Sequence, residues 1–213
     1  MNEWKGRGPT RATATSRTIQ GMALILFSLV TLVASSVGAE SWTVDTSHTT
    51  IGFSVSHLFT SVQGRFDSFE GSVEFDPAKP EATVVRGTAQ AASINTFNAK
   101  RDKHLRSPDF FDVEKYPTLE FVSSGLSDWS GNAGKLNGKL TIHGVTREVS
   151  FDAKFLGRGT DPWGNVKSGF RATLTINRKD YGLDWNQVLE AGGVLVGEEI
   201  EIRIDVEANL DDE

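Results

Sequence analysis

Ile200-Glu-Ile-Arg-Ile-Asp-Val-Glu-Ala208 alternates apolar and charged side chains from end to end. Successive side chains of a strand point to opposite faces, so this period of two describes a strand with one face in an apolar interior and the other in water. Ile51-Gly-Phe-Ser-Val-Ser-His57 and Val149-Ser-Phe-Asp-Ala-Lys-Phe155 repeat the pattern. Weaker alternation runs through Gly71–Phe75, Thr83–Ala92, Leu119–Ser123, Lys135–Ile142 and Ser168–Ile176. These eight segments predict an all-β, eight-stranded fold. Turn residues divide them: Asp76-Pro77 to Pro80, Gly131 to Gly134, His143-Gly144 and Gly157 to Gly164. The spacing around His143-Gly144 predicts a hairpin. Strands this close together are antiparallel, because a parallel crossover needs a dozen or more residues. Closing the sheet into a barrel would remove its edges; a two-sheet sandwich is the competing architecture.

One segment breaks the period. Thr96-Phe-Asn-Ala-Lys-Arg-Asp-Lys-His-Leu-Arg106 is rich in helix formers and stops at Ser107-Pro108. It predicts a short helix over about 97–106 near the barrel mouth, capped by Thr96 or Asn98, leading into a loop with Phe110 and Phe111. A second irregular stretch, Arg178 to Gly193, carries Tyr181, Leu183 and Trp185 and is expected at the mouth as well.

The first 39 residues read as an address. Lys5, Arg7, Arg11 and Arg17 precede the apolar run Ala23 to Val33, and Val37-Gly38-Ala39 offers small residues before Glu40. This is the pattern of a secretory signal, with an uncleaved anchor as the alternative; the run is shorter than the roughly 18 to 20 residues a spanning helix needs. Cleavage predicts a periplasmic protein with no stable membrane insertion. Residues 40–213 then form a single domain. Removing the leader's four basic residues and one acid from 22 and 28 leaves 18 Lys and Arg against 27 Asp and Glu, a formal charge of −9. That balance argues against nucleic acid as a partner. The absence of cysteine excludes disulfides, thiolate nucleophiles and thiolate metal sites.

An eight-stranded barrel is just wide enough to be filled by its own side chains or to hold one small ligand. Val85-x-Gly87-x-Ala89-x-Ala91 offers a face with almost no volume, and Gly138, Ala153 and Ala172 sit on apolar faces of other strands. Small inward residues leave a void, and an apolar void costs stability unless something occupies it. The alternative is that they mark bends or close backbone approach. A hollow barrel would be walled by Phe53, Val55, Phe66, Val73, Phe75, Leu140, Phe151, Phe170, Leu174, Ile202 and Ile204, with Phe110 and Phe111 at the mouth. Such a wall suits a long apolar ligand.

Lys100, Arg101, Lys103, His104 and Arg106 form a compact positive patch. Arg101, Lys103, His104 and Arg106 are therefore candidates for an anionic head group, and a solvated helix face is the alternative. His48, His57, His104 and His143 have no metal-ligand spacing, so no metal is expected. There is no G-x-S-x-G elbow, no P-loop and no distinctive acid/base pair, so no catalytic residues are assigned. Asp161-Pro162-Trp163-Gly164 reads as a tight turn with an aromatic plug.

The longer motifs carry a resemblance. Trp42-Thr-Val-Asp45 with Ser47-His48 and Phe53 is followed by Gly64-Arg-Phe66 and Phe69-x-Gly71. The most specific run is Arg101-Asp-Lys-His-Leu-Arg106-Ser-x-Asp-Phe110-Phe-Asp112, continuing to Lys115-Tyr-Pro117 and Phe121. Gly138-x-Leu-Thr-Ile-His-Gly-Val-Thr146, Asp161-Pro-Trp-Gly164 and Gly169-Phe170 complete the set. From about Trp42 to Leu210 the chain resembles the YceI-like family of periplasmic, lipocalin-like, polyisoprenoid-binding proteins. The resemblance implies an eight-stranded barrel that holds a polyisoprenoid, an isoprenoid quinone or a similar lipid for storage, transport or protection, with no other cofactor. It leaves homodimerisation open. An envelope stress or quinone-linked accessory acting through a partner surface or a catalytic step is the alternative role.

Overall fold

The computed structural model describes residues 39–76, 79–188 and 195–211. The leader expected over residues 1–39 lies outside them, apart from Ala39.

Among the described residues, eleven strands form one antiparallel sheet: β1 Glu40–Val44, β2 Thr50–His57, β3 Thr60–Phe66, β4 Phe69–Phe75, β5 Val84–Gln90, β6 Ile94–Asn95, β7 Thr118–Ser130, β8 Ala133–Ile142, β9 Val145–Thr160, β10 Val166–Asn177 and β11 Val196–Leu210. β11 pairs with β10 on one edge. On the other edge it pairs with β2 over Val196 to Asp205 and with β1 over Ala208 to Leu210. That second edge closes the barrel. β1 and β2 are thus two halves of one bent strand, and β3–β4 and β5–β6 are bent strands of the same kind. Eleven segments therefore occupy eight positions around a closed barrel, and each of the eight predicted strands marks one of them.

The three bent strands kink at one level, at 45–49, 67–68 and 91–93. Local hydrogen bonds repair each break. Asp45 N donates to the Glu207 carbonyl, and Thr49 Oγ1 both donates to that carbonyl and accepts from Glu207 N. Asp67 accepts from Arg65 Nε and Asn95 Nδ2. Beyond the kinks β2, β3 and β6 form one wall of a wider chamber at the end where the helix lies.

The helix α1 spans Ala99–Leu105, shorter at both ends than the predicted 97–106. Asn98 is the cap and accepts from Arg101 N, whereas Thr96 is used elsewhere: its backbone N and Oγ1 donate to the buried Asp102 carboxylate at 2.9 and 2.5 Å. The β8–β9 hairpin turns at His143-Gly144, both with positive φ, as a two-residue turn of this hand demands. A Cβ on Gly144 would meet the Tyr116 ring at 2.5 Å, so glycine is fixed there twice over.

A filled barrel has one contiguous core. Among the described residues the buried apolar side chains fall into three clusters, around Leu140, Ile142, Tyr181 and Leu183; around Trp42, Val73 and Ala208; and around Phe66, Ala89 and Ile94, the first and third bridged by the half-buried Phe111 and Leu119. Between them, inward-facing Phe53, Val55, Phe75, Phe170, Ile202 and Ile204 are only half-buried. Side chains that point inward yet keep accessible surface border empty space. The barrel is hollow.

Candidate functional site

Two adjoining cavities run along the axis. The deeper one has a volume of about 220 Å³ and a wall almost wholly of carbon. Phe75, Trp129, Phe155 and Phe170 cross its far end, with ring centroids 5.6 to 6.4 Å apart. Trp42 is buried beyond them, with the Arg158 guanidinium over its ring. The larger cavity, about 660 Å³, lies under α1. Its volume falls in the 300–1,000 Å³ range usual for ligand sites. Phe53, Phe66, Leu119, Ile142 and Ile202 border both spaces, so one guest can extend from one into the other.

The small residues account for the deeper space. Gly87, Ala89, Ala153 and Ala172 all line it, and a Cβ on Gly87 would meet nothing closer than 4.0 Å. Gly138 is different. Its missing Cβ would lie 2.7 Å from the Phe121 ring and 2.5 Å from the Val122 carbonyl, so there the glycine serves close packing.

Of the expected wall, Phe53, Phe66 and Ile202 border both cavities; Val73, Phe75, Leu140, Phe151, Phe170 and Ile204 border the deeper one; Val55, Phe110 and Phe111 border the larger one. Leu174 borders neither. It packs against the cluster of Leu140, Ile142, Tyr181 and Leu183, where the end of the barrel is filled by the segment after β10. Trp129, Phe155 and Trp185 line the cavities without having been singled out as wall: Trp129 sits at a strand end and Trp185 in irregular chain, where period-two reading has no purchase, whereas Phe155 lies on the apolar face of the Val149–Phe155 alternation.

The four head-group candidates separate. Arg101 and His104 border the larger cavity; Lys103 and Arg106 do not. Arg106 spends its guanidinium on the carbonyls of Ala92 and Ile94, each at 2.6 Å, and so ties α1 to the 91–93 kink and the start of β6. Arg101 bonds the Thr96 hydroxyl and carbonyl. His104 meets Asp109 at 2.9 Å and sits edge-on to both Phe110 and Trp185. The patch is thus largely structural, with Arg101 and His104 also facing the cavity. Lys100, His57, Asn98 and Arg178 join them on the same wall.

Arg178 was not legible as a site residue. It is 3% exposed; Nε donates to the Gly197 carbonyl at 2.8 Å and Nη1 to the Leu183 carbonyl, while Nη2 has no partner among the described residues. Burial pulls its pKa down, and Glu198 and Asp184 partly offset this. Of the cationic side chains on the walls, Lys100, Arg101 and Arg178 border the larger cavity, and Arg86, Lys154 and Arg171 border the deeper one.

Away from the cavities, His48 Nδ1 lies 2.9 Å from Asp45 Oδ2 and 3.7 Å from Glu207 Oε1. This is metal-ligand chemistry that the sequence spacing hides. Lys167 Nζ, however, lies 2.7 Å from Asp45 and 3.3 Å from Glu207, so an ammonium already fills the place of a cation. Hydrogen bonds from Lys167 and then His48 hold the Asp45 carboxyl far below the usual carboxylate range, and Asp45 in turn raises His48. The turn at 161–164 forms as expected, with Asp161 accepting from Trp163 N and Asn165 N. Trp163 does not plug anything: it is 84% exposed.

Comparison with known proteins agrees with this architecture. Residues 42–208 match the YceI-like domain. A UPF0312 protein of Pseudomonas putida is 38% identical over 164 residues, 76% of this chain and 85% of that one. BcnA of Burkholderia cenocepacia superposes with a TM-score of 0.69 at 24% identity, over 77% of this chain and 98% of that one. A polyisoprenoid-binding domain from Saccharophagus degradans superposes with a TM-score of 0.59 at 14% identity, over 81% of this chain and 99% of that one. At those identities the two superpositions speak for the fold.

Proposed function

We propose that this chain, which belongs to the YceI-like family, encloses one long apolar lipid, with its tail in the deeper cavity and any polar head in the larger one. The observation that carries the reading is the carbon-lined space running from α1 to the aromatic cluster at Phe75. Burying a tail there gains roughly 0.8 kcal/mol per CH₂, offset in part by freedom lost on binding. The direction follows from the walls. His57, Asn98, Lys100, Arg101 and His104 gather at the α1 end, whereas rings of Phe and Trp close the other. The polyisoprenoid-binding domain that shares the fold supports a polyisoprenoid as the class of guest, and an isoprenoid quinone carries the same kind of tail. Export to the periplasm by the leader, and binding in place of catalysis, belong to the same reading.

Native mass spectrometry and organic extraction of protein taken directly from cells test it. The expected result is a near-stoichiometric long-chain lipid. Protein that is lipid-free in every preparation, and takes up no isoprenoid quinone on incubation, would overturn the reading.

A further inference from the structure

We infer that the mouth of the barrel docks on a phospholipid bilayer, with the Leu58-Phe59 hairpin tip inserted among the lipids. The inference rests on the proposed lipid cargo and on the chemistry of the turn. β2 and β3 are joined by two residues, with His57 paired to Thr60. Such turns favour Asn-Gly or another glycine pair, because positive φ is needed. This one uses Leu58, at φ +53°, and Phe59. A bulky side chain in that region is an outlier. The result is an apolar tip in water: Phe59 is 93% exposed and Leu58 48%. Val188, 83% exposed, lies on the chain that returns beside the tip, where Leu58 N donates to the Leu195 carbonyl and Leu195 N to the Gln187 carbonyl.

The place of this tip gives it meaning. His57 and Val62, on either side of it, line the larger cavity, so the tip is part of the cavity's rim. A guest with a long tail loses about fourfold in equilibrium for each CH₂ carried into water. It must therefore pass between membrane and barrel without leaving an apolar surface, and the rim is the surface it would cross. Lys100 borders the same cavity and Lys103 follows on α1; both are exposed, and neither makes an ion pair among the described residues. Exposed apolar side chains and unpaired cations around the mouth of one cavity suit an interface of acyl chains beneath phosphates. A second copy of this chain fits less well. A symmetric dimer applies the same patch to itself, setting lysines against lysines, and three apolar side chains fall short of the 1,200–2,000 Å² total of a stable interface.

Trp163 supplies the internal control. It is also exposed and aromatic, but it sits in the β9–β10 turn, at the opposite end of those strands from His143-Gly144. Binding to vesicles of phosphatidylethanolamine with a minority of phosphatidylglycerol would be measured by co-sedimentation for the wild-type protein, Phe59→Asp and Trp163→Asp, each checked by its thermal melt. Phe59→Asp is expected to weaken binding at least about tenfold and Trp163→Asp to leave it unchanged. A Phe59→Trp variant should shift its emission to the blue on adding vesicles. Equal binding by all three proteins, or equal loss in both Asp variants, would overturn the inference, as would a wild-type dimer that Phe59→Asp splits. Lipid carried by the same wild-type preparation is read separately by mass spectrometry. Lipid-free protein would count against the cargo, and lipid-laden protein indifferent to Phe59 against the docking face alone.

Discussion

Arg106 and Lys103 stand three residues apart on one positive segment, yet their surroundings assign them different work. Arg106 holds the carbonyls of Ala92 in the kink and Ile94 at the start of β6, and Lys103 is solvated. Arg106→Met should cost about 1–3 kcal/mol, because carbonyls near the barrel wall lose charged donors. Lys103→Met should stay within about 0.5 kcal/mol. Urea unfolding of the two variants measures the difference. The His48 cluster gives a residue-scale prediction in pH. His48 is raised by Asp45, so its contribution is full below its ordinary pKa of about 6.5 and fades as pH rises through the folded value. Asp45 is depressed, so its contribution is present above its ordinary value near 3.8 and is lost as pH falls. The melting temperature of wild type minus that of His48→Asn should therefore be positive near pH 5.5 and shrink toward zero by pH 8. His48 is largely exposed, so the difference will be small.

At the scale of elements, glycine distinguishes a hollow face from a packed one. Gly87→Ala places its methyl in open space and removes a glycine from a strand, so stability should hold or rise by about 0.5–1 kcal/mol. Gly138→Ala drives a methyl into Phe121 and Val122 and should cost about 1–3 kcal/mol. Thermal melts of the pair decide it; equal losses would mean that the Gly87 face is packed after all. The sequence treats both glycines alike, since alternation reports which way a side chain points and never what stands opposite. The same limit explains which strands were legible. Ile200–Ala208 announces itself because every outward position is charged or polar. Thr60–Phe66 does not, because Val62 and Phe66 are interrupted by Gly64 and the turn before it lacks glycine or asparagine. Gly64 is there because a Cβ would meet the Phe53 ring at 2.4 Å, a contact between strands that no local pattern encodes. Leu174 lay on the right face but at a level where the chain after β10 fills the barrel. Arg178 became a wall residue through burial by Leu183 and Gly197, partners visible only once the strands are in register.

For the molecule as a whole, the question is whether stability and cargo compete for the same volume. Ala153 and Ala172 face each other across β9 and β10 and both line the deeper cavity. In a filled core, enlarging either one would force neighbours off their rotamers at about 1–3 kcal/mol each. In a hollow barrel, two leucines there enter empty space and bury new methyl groups at roughly 0.8 kcal/mol per carbon. The Ala153→Leu, Ala172→Leu double variant should therefore unfold, when stripped of lipid, at a temperature equal to or above that of stripped wild type. Its lipid content as isolated from cells should fall several-fold, because the tail's place is taken. A bound guest stabilises the folded state by an amount that grows with the logarithm of its concentration over Kd. The wild type should consequently lose melting temperature on delipidation, and the double variant should lose little. Destabilisation of the stripped variant together with an unchanged lipid content would mean that the guest lies elsewhere than between these two strands.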